Sequence, residues 1–81
     1  MNFAELHRRL VHHLRERVRS GELTERSLAR TTCVSQPHIH NVLKGKRTLS
    51  TLTADAILRQ LDLDLVDLIR PDELLEWRRR R

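Results

Sequence analysis

Residues Thr24 to Gly45 read Thr-Glu-Arg-Ser-Leu-Ala-Arg-Thr-Thr-Cys-Val-Ser-Gln-Pro-His-Ile-His-Asn-Val-Leu-Lys-Gly, and this stretch decides the fold. It describes two short helices joined by a tight corner. Thr24 is a good N-cap, and Leu28 and Ala29 give the first helix an apolar side. That helix is expected to stop near Thr32, where a second β-branched residue adds to poor helix propensity. Val34 is an apolar plug for the corner. Ser35 then caps a new helix with Ile39, Val42 and Leu43 on its inner face, and Gly45 ends it. Helices this short do not hold themselves together, so their apolar sides must pack on the rest of the chain.

The outer face of the second helix carries the functional signal. Gln36, Pro37, His40, Asn41 and Lys44 point away from the Ile39, Val42, Leu43 stripe. Gln and Asn pair a donor with an acceptor and so match a base edge, adenine most naturally. Lys44, Lys46 and Arg47 follow at once and suit phosphates. An amide-rich face beside a basic turn is what a major-groove reader needs.

On these residues the stretch resembles the helix-turn-helix of the Cro and phage-repressor family, also called the XRE type. The resemblance runs from about Leu23 to Ile69. It rests on Ala29 against the second helix, the Val34-Ser35-Gln36 start, Ile39 and Val42 as core residues, and Lys44-Gly45-Lys46-Arg47 as the exit. It implies a recognition helix over residues 35–43. The implied base contacts are Gln36, Pro37, His40 and Asn41. The implied phosphate contacts are Ser35, Lys44, Lys46 and Arg47, with Arg26 added from the first helix of the pair. One residue departs from the pattern: the family usually has Gly at the corner, where Cys33 sits. A non-Gly residue at positive φ costs about 1 kcal/mol, so this corner is expected to be strained or differently shaped.

Eighty-one residues make one small domain. The scarcity of Gly, Pro and aromatic residues, with Leu and Arg dominant, favours an all-helical chain. Asn2 with Glu5 suggests a capping box. Phe3, Leu6, Leu10, Leu14 and Val18 then mark one face of a helix ending at Gly21, with Arg8, Arg9, Arg15, Arg17 and Arg19 on its other faces. That basic back either touches phosphates or is simply solvated. After the Lys46–Leu49 loop, Ser50 or Thr51 caps a helix with Ala54, Ile57, Leu58 and Leu61 inward. Asp64 with Asp67 opens a short fifth helix carrying Leu65, Leu68 and Ile69. Pro71 then starts a further helical segment. The expected architecture is all-α: a compact five-helix, lambda-repressor-like DNA-binding domain over residues 1–70, with a short C-terminal helical extension and basic tail over 71–81.

The positive charge is unevenly spread. Residues 1–47 hold ten Lys or Arg against four acids, residues 48–77 two against seven, and the last four residues are all Arg. A basic half fits a polyanion partner, and an acidic half argues against uniform membrane attraction. The single Cys33 cannot form an internal disulfide and fits a reducing compartment. No apolar run approaches a membrane span, and no signal-peptide pattern opens the chain. The expected location is the cytoplasm of a bacterium or of a phage-infected cell, near the nucleoid. The terminal Arg run leaves open that a longer protein continues beyond residue 81.

Other chemistry finds little support. His38 and His40 are two apart on a helix, His12 and His13 adjacent, and no second Cys completes a zinc pair, so no metal is expected. Ser27, Ser35 and Ser50 lack triad partners, and no Gly-rich phosphate loop is present. Neither an enzyme nor a cofactor is expected. The favoured reading is sequence-specific binding of double-stranded DNA as a transcriptional regulator of repressor type. The alternative is a protein-interaction module, such as an antitoxin or a phage regulatory partner protein, because the same fold serves both. A homodimer is expected, with Leu65, Leu68, Leu74, Leu75 and Trp77 as its seam. The competing arrangement folds the C-terminal segment back onto helix 1.

Overall fold

The structure, a computed structural model, describes residues 1–80. Five α-helices follow in order: α1 (Phe3–Arg19), α2 (Glu25–Thr32), α3 (Gln36–Leu43), α4 (Thr51–Gln60) and α5 (Pro71–Arg79). A single 3₁₀ turn, Leu65–Leu68, lies between α4 and α5. No strand occurs among the described residues. No helix there is long and apolar enough to cross a membrane.

The helix starts follow the capping residues. The Thr24 side chain accepts from the Ser27 N–H at 3.0 Å, and the Ser27 hydroxyl is 3.1 Å from the Thr24 N–H, closing a reciprocal box. Ser35 accepts from His38 N–H and Ser50 from Thr53 N–H. At α1 only half of the expected box forms. Asn2 accepts from Glu5 N–H at 2.8 Å, while the Glu5 carboxylate turns to the guanidiniums of Arg8 and Arg9. Two nearby cations outcompete a single terminal N–H. Helix α1 ends at Arg19 with Ser20 as its cap, two residues before Gly21.

Cys33 takes the left-handed conformation, φ 58° and ψ 30°, so the corner keeps the shape that Gly usually provides. Its backbone N–H and that of Val34 both reach back to the Ala29 carbonyl, which ends α2. Asp62 repeats the device after α4 with φ 52°.

The core gathers where α1, α2, α3 and α4 meet. Leu14, Ile39, Ile57 and Val42 are the most deeply buried side chains, and no polar side chain is buried among the described residues. Burial at about 1.5–3 kcal/mol per large aliphatic side chain fixes two helices of eight residues that are unstable alone. Leu49 also enters the core from the loop before α4, its N–H donating to His7 Nε2 at 2.9 Å.

The segment after α4 differs from expectation. Asp64 and Asp67 pair as a cap, yet only the four-residue 3₁₀ turn forms. Arg70 precedes Pro71, which disfavours helical backbone, and both Ile69 and Arg70 are extended. The full-length helix starts at Pro71 instead. Leu68 is buried in this chain's own core and offers no surface for a partner, contrary to its place in the expected seam. Its side chain packs in the same apolar cluster as Leu10, Leu14 and Ile57, and Arg9 of α1 donates to its carbonyl at 3.1 Å.

Arg9 also secures α5. Its two terminal nitrogens meet the two oxygens of Glu73 at 2.6 and 2.5 Å, a bidentate fork between α1 and the first turn of α5. The guanidinium donors, then the Arg70 backbone N–H, hold the Glu73 carboxyl down at about 2 from an ordinary 4.5. The C-terminal segment therefore does fold back onto α1 at its start. Further along, Leu74 is half-buried, and Leu75 and Trp77 stay exposed.

Replacing Cys33 by Gly removes the left-handed penalty at the corner. Cys33→Gly is expected to stabilise the fold by about 0.5–1 kcal/mol, raising Tm by a few degrees in a thermal unfolding scan. A lowered Tm contradicts the strain. For the Arg9–Glu73 fork the carboxyl is depressed in the folded state. Its contribution is complete above the ordinary carboxylate range and is lost as pH falls from there towards about 2. Trp77 fluorescence is expected to report release of α5 across that window, and Glu73→Gln to lose this step.

Candidate nucleic-acid interface

The α2–corner–α3 unit presents one continuous face. Ser35, Gln36, Pro37, His40 and Lys44 are exposed along α3, with Asn41 half-buried at its edge. This is the helical consequence of burying Ile39, Val42 and Leu43 on the opposite side. Pro37, in the first turn, lacks a backbone N–H at a position where the helix ladder offers none of these groups an acceptor. Ser35 spends its oxygen as the cap, leaving its hydroxyl hydrogen to donate outward. Arg26 stands exposed in the first turn of α2.

The basic exit is shaped by one carbonyl. Asn41 O accepts the backbone N–H of Lys46 at 2.8 Å and of Arg47 at 3.3 Å, folding the loop back on the end of α3. Gly45, at φ +80°, permits that reversal. Lys44, Lys46 and Arg47 thus share one end of the helix.

Charge pairing separates two kinds of basic residue. On α1, Arg8 and Arg9 engage Glu5, Arg9 also Glu73, Arg17 engages Glu22 at 3.0 Å and Arg19 engages Glu16 at 3.3 Å. Arg15 instead caps α3, its Nε and Nη2 donating to the Leu43 carbonyl at 3.0 and 2.8 Å. The basic back of α1 is thus largely committed within the chain. Lys44, Lys46, Arg47 and Arg26 enter no ion pair with any described residue. Arg30 on α2 is likewise without an ion pair among the described residues, so the unneutralised cations of this half, Arg15 on α1 apart, lie on and beside the helix-turn-helix.

Among the expected site residues, His40 has a partner: its Nδ1 lies 3.1 Å from the Glu25 carboxylate of α2. Two residues with a bearing on this face were given other places by the sequence: Arg15 belonged to the basic back of α1, and Glu25 had no role. Arg15 caps a carbonyl 28 positions away, and Glu25 reaches a ring 15 positions away. No local pattern encodes either pairing. Among the described residues no cluster of three or more His, Cys, Asp or Glu is placed to hold a metal ion.

The family model described as helix-turn-helix matches residues 14–68, more than half of the chain. The chain belongs to the Cro and phage-repressor type of helix-turn-helix family. It is a helix-turn-helix domain of the DNA-binding transcription-regulator type, with the all-helical fold expected of lambda-repressor-like domains. The matched span runs from Leu14 through the 3₁₀ turn and stops before α5. No curated protein and no solved structure matches the chain.

Proposed function

We propose that this helix-turn-helix domain binds duplex DNA sequence-specifically as a repressor-type transcriptional regulator. Helix α3 enters the major groove while α2 lies across the backbone. Gln36 and Asn41 bid for base edges, and His40 and Pro37 add contact and shape. Lys44, Lys46 and Arg47, with Ser35 and Arg26, set register on phosphates. The observation that carries this reading is the set of unpaired cations around an exposed amide face, in a chain whose α1 arginines are mostly paired internally. The proposed location is the cytoplasm of a bacterial or phage-infected host, close to the nucleoid.

One recognition helix reads only a few base pairs, too little to single out one operator among ~10⁶ or more genomic sites. We propose that two copies bind half-sites one helical turn apart. The seam would be Leu65, Leu74, Leu75 and Trp77. Leu65, Leu75 and Trp77 are each about half exposed, and Val66 lies beside Leu65. The Arg9–Glu73 fork holds the first turn of α5 against α1 and so fixes the base of this seam. Residues 1–70 would then form the DNA-binding domain, with residues 71–81 as an extension serving assembly.

Random duplex should bind with a steep salt dependence, whereas no binding at low salt would favour the protein-interaction reading. Gln36→Ala and Asn41→Ala are each expected to change the preferred sequence, at roughly 1–3 kcal/mol for the affected base pair. Lys46→Ala and Arg47→Ala should weaken all duplexes alike and lower the salt slope by about one each. Four variants behaving identically would remove the division between reading and anchoring residues.

Sedimentation across concentrations tests the assembly. A dimer is expected, weakened by Trp77→Ala combined with Leu74→Ala, with operator affinity lost and helix content retained. A strictly monomeric wild type with a single half-site footprint would overturn it.

A further inference from the structure

The contact between Glu25 and His40 has a chemical consequence for what α3 can read. His40 Nδ1 lies 3.2 Å from one oxygen of the Glu25 carboxylate and 3.1 Å from the other. An ionised carboxylate only accepts hydrogen bonds, so the ring nitrogen in this pair carries the proton. In a neutral imidazole the other nitrogen then holds a lone pair and accepts. No described residue partners Nε2, and the His40 side chain is 50% exposed. Gln36 lies one turn before it on the outer face of α3 and Lys44 one turn after.

We infer that Glu25 is a positioning residue that fixes the hydrogen-bond polarity of His40 and thereby the base pair it prefers. This rests on the proposal that α3 enters the major groove. There cytosine and adenine present exocyclic amine donors, while guanine and thymine present acceptors at the equivalent places. An Nε2 lone pair accepts from the amine and meets the guanine or thymine oxygen lone pair to lone pair. Glu25 also stands in the first turn of α2, where a negative charge favours the helix dipole. That purely structural role leaves base preference untouched, which makes the two roles separable.

The test is selection of bound sequences from a random duplex pool at about pH 8.5, where free imidazoles are neutral. The base pair in question is the one whose preference His40→Ala erases. Wild type is expected to favour an amine-bearing base there by on the order of tenfold. Glu25→Gln, of the same shape but able to donate as well as accept, should reduce that preference to about twofold or less and leave those set by Gln36 and Asn41 in place. A uniform loss of affinity with all preferences retained would show a structural role only and overturn the inference. Ring nitrogen chemical shifts of the histidine-labelled free protein give a second readout. The proton is expected on Nδ1 of His40 in wild type and redistributed in Glu25→Gln; a wild-type ring protonated at Nε2 alone would overturn the assignment. A wild type that selects no sequence removes both readings of α3, whereas selection unmoved by Glu25→Gln removes only this one.

Discussion

Two helices of eight residues each form the unit that the family is named for, and neither is stable by itself. What holds them is the apolar seam in which Ile39 and Val42 of α3 and Leu28 of α2 meet Leu14 of α1 and Ile57 of α4. The rest of the architecture follows from that constraint. The corner must bring α3 across α2 within three residues, which forces Cys33 into the left-handed region. Burying one side of α3 dictates which residues stand on the other. The exposed face is thus a geometric by-product of the core, and a slip of one position in the apolar stripe would rotate Gln36, His40 and Asn41 out of it.

Much of this was legible in the sequence because its signals are local. Thr24 and Ser35 cap the helices they were expected to cap, Ser50 of the two candidates Ser50 and Thr51 caps α4, and α2 ends at Thr32. The stripe of Ile39, Val42 and Leu43 is buried as its spacing requires. The misses share a physical cause. Glu5 abandons the Asn2 box for two arginines, Arg9 reaches the Leu68 carbonyl and Glu73 of α5, and Arg15 caps Leu43 from another helix. Each depends on a long, flexible charged side chain choosing among several partners. Arginine has five donors and reaches across most of a small domain, so its destination is set by tertiary placement and leaves no periodic trace. The contacts proposed between α3 and DNA would be of the same kind: the sequence nominates Gln36 and Asn41, and only their order along the face is geometric.

The same behaviour of arginine sorts the charge of the chain. In sequence, residues 1–47 look uniformly basic. In the fold, the α1 cations become struts: Arg9 joins α1 to α5, Arg15 joins α1 to α3, and Arg17 holds the turn at Glu22. Surface ion pairs contribute little to stability individually, often under about 1 kcal/mol. Their larger effect here is on the field. An arginine beside a carboxylate presents little net charge to a distant polyanion, so the positive charge that remains in this half sits mainly on Lys44, Lys46 and Arg47 and on Arg26 and Arg30 of α2, with Arg15 of α1.

That arrangement leaves α3 held at three places by other parts of the chain. Ser35 ties its start, the Arg15 fork takes its final carbonyl, and Glu25 grips His40 along its length. A reading helix gains from such restraint because each side chain fixed before binding loses less freedom on contact, of the order of 0.5–1.5 kcal/mol for a rotamer-rich side chain. The restraints also differ in what they fix. The two end contacts hold the position of the helix and, under the proposed reading, would bear on every base pair alike. The Glu25 contact holds one ring and one proton, so under the proposed reading it would bear on a single base position. On that reading affinity and preference rest on different bonds, so that one could be altered without the other.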